Sequence, residues 1–82
     1  MSERLMLKGA LEEKKLRSMK LAIKADGLIR GIKQIIQPAA VTPLRDLRTS
    51  EALELIGELD DLKTEYVQVV AEMDEIRREL GE

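Results

Sequence analysis

The sequence predicts an all-α fold: a long antiparallel helical hairpin, coiled-coil-like in its packing, that dimerises into a four-helix bundle. Three observations carry that expectation. Aliphatic residues recur at alternating spacings of three and four through two long stretches, about 3–36 and 51–80. A proline-bearing break, Gln37-Pro38-Ala39-Ala40-Val41-Thr42-Pro43, separates them. With one Tyr, no Phe and no Trp, the core must come from Leu, Ile, Val, Met and Ala, and five Gly and two Pro among 82 residues suit helix. The whole chain, 1–82, reads as a single small domain, and such a domain buries only about 60–65% of its unfolded surface.

In the first helix, Leu7, Leu11, Leu21, Ala25, Leu28, Ile32 and Ile35 share one seam, interrupted by Lys14 and Ser18. Ser2 or Glu3 is the expected cap. Gly27 and Gly31 each cost about 1 kcal/mol relative to Ala, as tolerated flexibility or as room for a closely approaching helix.

The connector is read as 37–50. Pro38 and Pro43 disfavour helical geometry at Gln37 and Thr42, and Thr42 followed by Pro43 makes a good cap and first helical residue. Leu44 and Leu47 fall off the seam of the second helix, so 43–48 reads as a short helical turn folded over the bundle end, with Thr49 or Ser50 capping the long second helix. A continuous helix with a local phase slip is the alternative. The second seam is Ala52, Leu55, Leu59, Leu62, Tyr66, Val69, Met73, Ile76 and Leu80, with Gly81 as its stop.

A short connector favours antiparallel packing. The best register faces Leu7 with Leu80, Leu11 with Ile76, Leu21 with Tyr66, Ala25 with Leu62 and Ile35 with Ala52. It leaves Lys14 opposite Met73, with its methylenes on the core and its ammonium outside. On one flank Arg17 would meet Glu72 and Lys24 would meet Glu65, each pair worth at most about 1 kcal/mol. The other flank is apolar: Ala22, Ile29 and Ile36 on the first helix, Ile56 and Val70 on the second. A hairpin has no layer of its own to cover that edge, and fully burying an Ile or Val is worth roughly 1.5–3 kcal/mol, so those five residues are the expected oligomer interface. The rival is a parallel two-stranded coil of the second helix with its own copy, in which Ile56 and Val70 would stand where such a coil wants charge.

The residue types narrow the function by elimination. The chain has no Cys and no His, which removes disulfides, thiolate chemistry, the usual nucleophile–base pairs and most zinc sites. No catalytic residue, metal site or cofactor is expected. Glu51-x-x-Glu54 and Glu72-x-x-Glu75 faintly resemble the paired acidic motifs of all-helical nucleotide pyrophosphohydrolases. Here both pairs lie on one straight helix, about 31 Å apart, too far to share an ion, so a solvated face is the better account. Charges interrupt every apolar run well short of the roughly 20 residues of a membrane span, and a cytoplasmic protein is the expectation.

Net charge is −2, but residues 1–37 carry nine Lys/Arg against four Asp/Glu and residues 38–82 carry five against twelve. Mutual pairing explains most of that asymmetry. Lys15, Lys20, Arg30 and Lys33 on the first helix are the candidate polyanion contacts. The architecture resembles small helical-hairpin dimers of the RNA-binding Rop type, which would make the chain a nucleic-acid-binding or regulatory dimer. Overall negative charge and the lack of an aromatic on that face weigh against nucleic acid. Leu16, Met19 and Ile23 form a second apolar ridge, a candidate surface for another protein or a larger oligomer, unless the first helix is rotated so that this ridge is its buried seam. The expected function is thus a non-catalytic homo-oligomeric interaction or assembly module.

Overall fold

The computed structural model describes residues 2–36 and 42–82. Helix α1 spans Glu3–Ile35, a single 3-10 turn covers Leu44–Asp46, and helix α2 spans Thr49–Leu80; there is no strand among the described residues. The break read at residues 37–41 lies outside them. The two helices run antiparallel along each other in a rod of 63 × 17 × 15 Å. At the free ends, Nη1 of Arg4 donates to the Leu80 carbonyl at 3.0 Å. At the connector end, Cδ1 of Leu55 stands 3.5 Å from where a Cβ on Gly31 would be.

The heptad seams are what the helices bury. Leu11, Leu21 and Ile35 are the buried residues of α1, and Ala52, Val69, Met73 and Leu80 those of α2. Leu7, Leu62 and Ile76 pack against the cluster of Leu11, Leu21, Val69, Met73 and Leu80. Leu16, Met19 and Ile23 all face water, so α1 is not rotated onto that stripe. Tyr66 departs from the expected seam: it is 42% exposed. Tyr66 lines a groove shared with the small side chains of Ala22 and Ala25.

Helix ends differ in detail from expectation. Ser2 stands at the N-cap of α1 but its side chain makes no capping bond. The expected cap at Thr49 or Ser50 is displaced, because the Arg48 carbonyl already accepts the Ala52 N–H at 3.1 Å and draws both residues into the helix. Pro43, rather than Thr42, opens the 3-10 turn, its carbonyl accepting the Asp46 N–H at 2.9 Å. Leu44 is 75% exposed, so the turn does not fold over the bundle end through that residue; Leu47 is the half-buried one. The turn is separate from α2, not a phase-slipped extension of it.

At the far end, Gly81 adopts the left-handed conformation (φ 79°). That lets the Glu82 N–H reach the Arg77 carbonyl at 2.8 Å and the Gly81 N–H the Arg78 carbonyl at 3.1 Å, a Schellman closure. Arg4 satisfies one more terminal carbonyl of α2 and puts a cation at its negative pole. Gly27 has open space around it, and at Gly31 an added Cβ would make an ordinary contact, so neither glycine is demanded by a close helix approach.

Leu21 is the most deeply buried large side chain, at 1% exposure. Leu21→Ala should cost about 2–4 kcal/mol in denaturant unfolding, whereas Lys20→Ala, one residue earlier and exposed, should stay within about 0.5 kcal/mol. Equal costs would place the seam elsewhere.

Candidate interaction surface

Two flanks border the seam, and their chemistry is opposite. On one, Lys14 and Arg17 of α1 meet the acidic row of α2. Lys14 occupies a seam position, yet its chain runs along the core and its ammonium emerges to meet Glu72 at 2.6 Å, both side chains about a third exposed. That contact takes Glu72 from Arg17, which pairs instead with Glu65. The expected partnerships of Arg17 with Glu72 and Lys24 with Glu65 are thereby corrected: a lysine inside the seam reaches the same carboxylate before the flanking arginine can. Ser18, the second polar interruption, donates its hydroxyl to the Lys15 carbonyl at 2.7 Å and so leaves no unsatisfied group in the core. The Lys14 ammonium first, then the Gln68 amide, hydrogen-bond the Glu72 carboxylate and hold it below its ordinary value of 4.5.

The opposite flank is apolar and open. Ile29, Ile36 and Ile56 are 37%, 47% and 45% exposed, Ala22 is exposed and Val70 half-buried. Midway along the rod this flank is cut by a shallow open groove of about 280 Å³, lined by Leu21, Ala22, Ala25 and Asp26 of α1 and Leu59, Leu62, Lys63 and Tyr66 of α2. The groove brings Ala22 beside Tyr66. It places the other four interface candidates above and below rather than inside it.

The apolar surface is wider than those five residues. Leu53 and Val67 of α2 are 68% and 58% exposed. Each lies three residues before an edge residue, Ile56 and Val70 respectively, and so on the same side of its helix. Met19 stands in the same relation to Ala22. The ridge of Leu16, Met19 and Ile23 thus adjoins this face through Met19, while Leu16 and Ile23 lie about 100° farther round on the outer side of α1. The signal that could have shown Leu53 and Val67 is this three-residue spacing from the edge.

The basic candidates do not converge. Lys15 is half-buried and pairs with Glu12 at 3.3 Å. Lys20, Arg30 and Lys33 are exposed, and Lys15 and Lys33 are about 27 Å apart along the axis of α1. Among the described residues, no three carboxylates come together in a way that could hold a metal ion, and no helix is long and apolar enough to cross a membrane. Compared with known proteins, the chain matches no family model, no curated protein and no solved structure.

A carboxyl whose folded value is depressed stabilises the fold above its unfolded value, and that contribution is lost as pH falls through the folded value. The Lys14–Glu72 contact should therefore contribute fully above pH 4.5 and fade below it. In an NMR titration the Glu72 carboxyl should have a midpoint below 4.5, and Lys14→Met should move that midpoint upward. No change in Lys14→Met would mean that the contact does not persist in solution.

Proposed function

We propose that this chain is a non-catalytic, self-associating interaction module: two hairpins close their apolar edges against each other to form a four-helix bundle. The observation that carries the reading is the edge itself, where Ile29, Ile36 and Ile56 stand 37–47% exposed beside Leu53 and Val67, with no further layer among the described residues to cover them. Contiguous apolar surface of this kind is unfavourable in water and marks association sites. Two facts support a second copy as the cover. The broad side of the rod, 63 × 17 Å, offers roughly 1,000 Å² per protomer, in the range of stable interfaces. The edge also stands on two long helices rather than on loops, so a second copy can meet it without rebuilding the backbone. The basic face of α1 supports the alternative of a nucleic-acid contact less well, because Lys15, Lys20, Arg30 and Lys33 are strung over about 27 Å of a chain whose net charge is −2.

Size-exclusion chromatography with light scattering tests the reading. A dimer is expected at micromolar concentration, and Ile29→Glu with Ile56→Glu should raise its dissociation constant by at least about 100-fold, since each dimer then buries four carboxylates on an apolar edge. Added nucleic acid should leave the elution unchanged. A monomeric native chain would refute the proposal. Binding of nucleic acid that falls steeply with salt, and is lost on charge reversal at Lys20 and Lys33, would favour the alternative.

A further inference from the structure

A second aliphatic surface lies on the side of α1 turned away from α2. Leu5, Met6, Leu16, Met19 and Ile23 are each 53–68% exposed, and they extend over about 27 Å of the helix axis. Leu16, Met19 and Ile23 fall within residues 14–25, a stretch that carries five Lys/Arg and no Asp/Glu. Lys14 and Arg17 of that stretch turn towards α2 and are taken by Glu72 and Glu65, and Lys15 pairs with Glu12. Lys20 and Lys24 are exposed, and neither forms an ion pair with another described residue. At 3.6 residues per turn, Lys15 stands about 100° to one side of Leu16 and Lys24 about 100° to the other side of Ile23, with Lys20 between Ile23 and Lys24. The result is an aliphatic ridge with ammonium groups along both margins.

We infer that this side of α1 docks on an anionic lipid bilayer, the helix lying flat in the headgroup layer with Leu16, Met19 and Ile23 among the acyl chains. A helix in that position needs few inserted side chains when its cations also meet anionic headgroups, because the two attractions add. Lysine suits the margins: its four-carbon stem lies along the apolar boundary while the ammonium reaches the headgroups. A protein partner fits this side less well. Three side chains over about 10 Å of a convex helix surface fall short of the roughly 800 Å² per partner of a stable interface, and no aromatic anchor stands among them. The charge of the whole hairpin points the same way. Helix α1 carries nine Lys/Arg against four Asp/Glu, whereas α2 carries three against ten. Packed helices stand about 8–10 Å apart, so the acids of α2 lie beyond a Debye length of about 8 Å from a bilayer under α1, and their repulsion is screened. The aliphatic edge between the helices suits the same bilayer poorly, because the exposed Asp26 and Asp60 interrupt it. Leu16 and Ile23 lie about 100° round α1 from that edge, so docking does not depend on the pairing proposed above.

Sedimentation of the whole chain with large unilamellar vesicles tests this. It should bind vesicles of equal parts phosphatidylcholine and phosphatidylserine, and bind pure phosphatidylcholine at least about tenfold more weakly. Leu16→Glu with Ile23→Glu should abolish binding to the anionic vesicles, and Lys20→Glu with Lys24→Glu should weaken it at least about tenfold. Thr64→Glu with Ala71→Glu makes the same charge change as the ridge pair at exposed positions of α2, and should leave binding within about threefold. All the substituted positions are exposed, so each variant should keep the native circular dichroism. On a chain without cysteine, a polarity-sensitive dye on Ile23→Cys should shift to the blue with the anionic vesicles, and the same dye on Thr64→Cys should not. No binding of the native chain to the anionic vesicles overturns the proposal and leaves the ridge to an acidic protein surface. Binding that survives Leu16→Glu with Ile23→Glu, or a dye on Ile23→Cys that stays in water on bound protein, overturns it too, since adsorption would then be electrostatic alone. None of these outcomes turns on whether the chain is monomeric or dimeric, which light scattering reads separately.

Discussion

Everything in this molecule depends on a single line of aliphatic side chains shared by two helices. Most of a helix's stability in a protein comes from packing its apolar face, because propensity alone barely offsets the entropy of ordering the backbone. What holds α1 and α2 is the burial of Leu11, Leu21 and Ile35 against Ala52, Val69, Met73 and Leu80. The ions and caps at the margins act on top of that seam. Lys14–Glu72 and Arg17–Glu65 are a third to a half exposed, where such pairs choose partners and register more than they stabilise. Lys14 does so from inside the seam: opposite an acidic row spaced seven residues apart it is satisfied, and a slip of less than a whole heptad would leave an ammonium over apolar side chains.

The same geometry that closes one side of the seam leaves the other open. In a two-helix hairpin each helix has a buried line, a charged flank and a second flank with nothing to lie against. Here the second flank is aliphatic, and it broadens outward through Leu53, Val67 and Met19. An edge of that composition is a liability for a solitary hairpin and an asset for one that pairs. Asp26 and Lys63, which line the groove from opposite helices, interrupt the aliphatic edge midway along the rod.

Much of this is legible in the residues because the heptad is a geometric signal: spacings of three and four put Leu11, Leu21 and Met73 on one line whatever else the chain does. The glycine stop at Gly81 is legible for the same kind of reason, since a left-handed residue is needed there. Side-chain reach is not legible. Which carboxylate Lys14 and Arg17 take depends on how long flexible side chains leave the seam, and pairing by position alone assigns Glu72 to the wrong cation. The capping of α2 is also hidden, because Thr49 and Ser50 look like caps in sequence and the backbone begins its hydrogen bonds one residue earlier, at Arg48. Tyr66 falls on the heptad but not in the core, and lines a groove shared with the small side chains of Ala22 and Ala25. The interaction surface is legible in part: the edge positions can be read from the heptad, and their neighbours three residues back, Leu53 and Val67, lie outside that pattern.

If the seam makes the hairpin and the open edge makes it depend on a second copy, stability must be linked to association. Thermal unfolding followed by circular dichroism over a hundredfold range of protein concentration tests this without any substitution, because a midpoint coupled to association moves with concentration. One cooperative transition is expected, with a midpoint that rises steadily as the protein is concentrated. A midpoint that stays fixed across the whole range would contradict that dependence, since the hairpin would then be stable with its aliphatic edge in water.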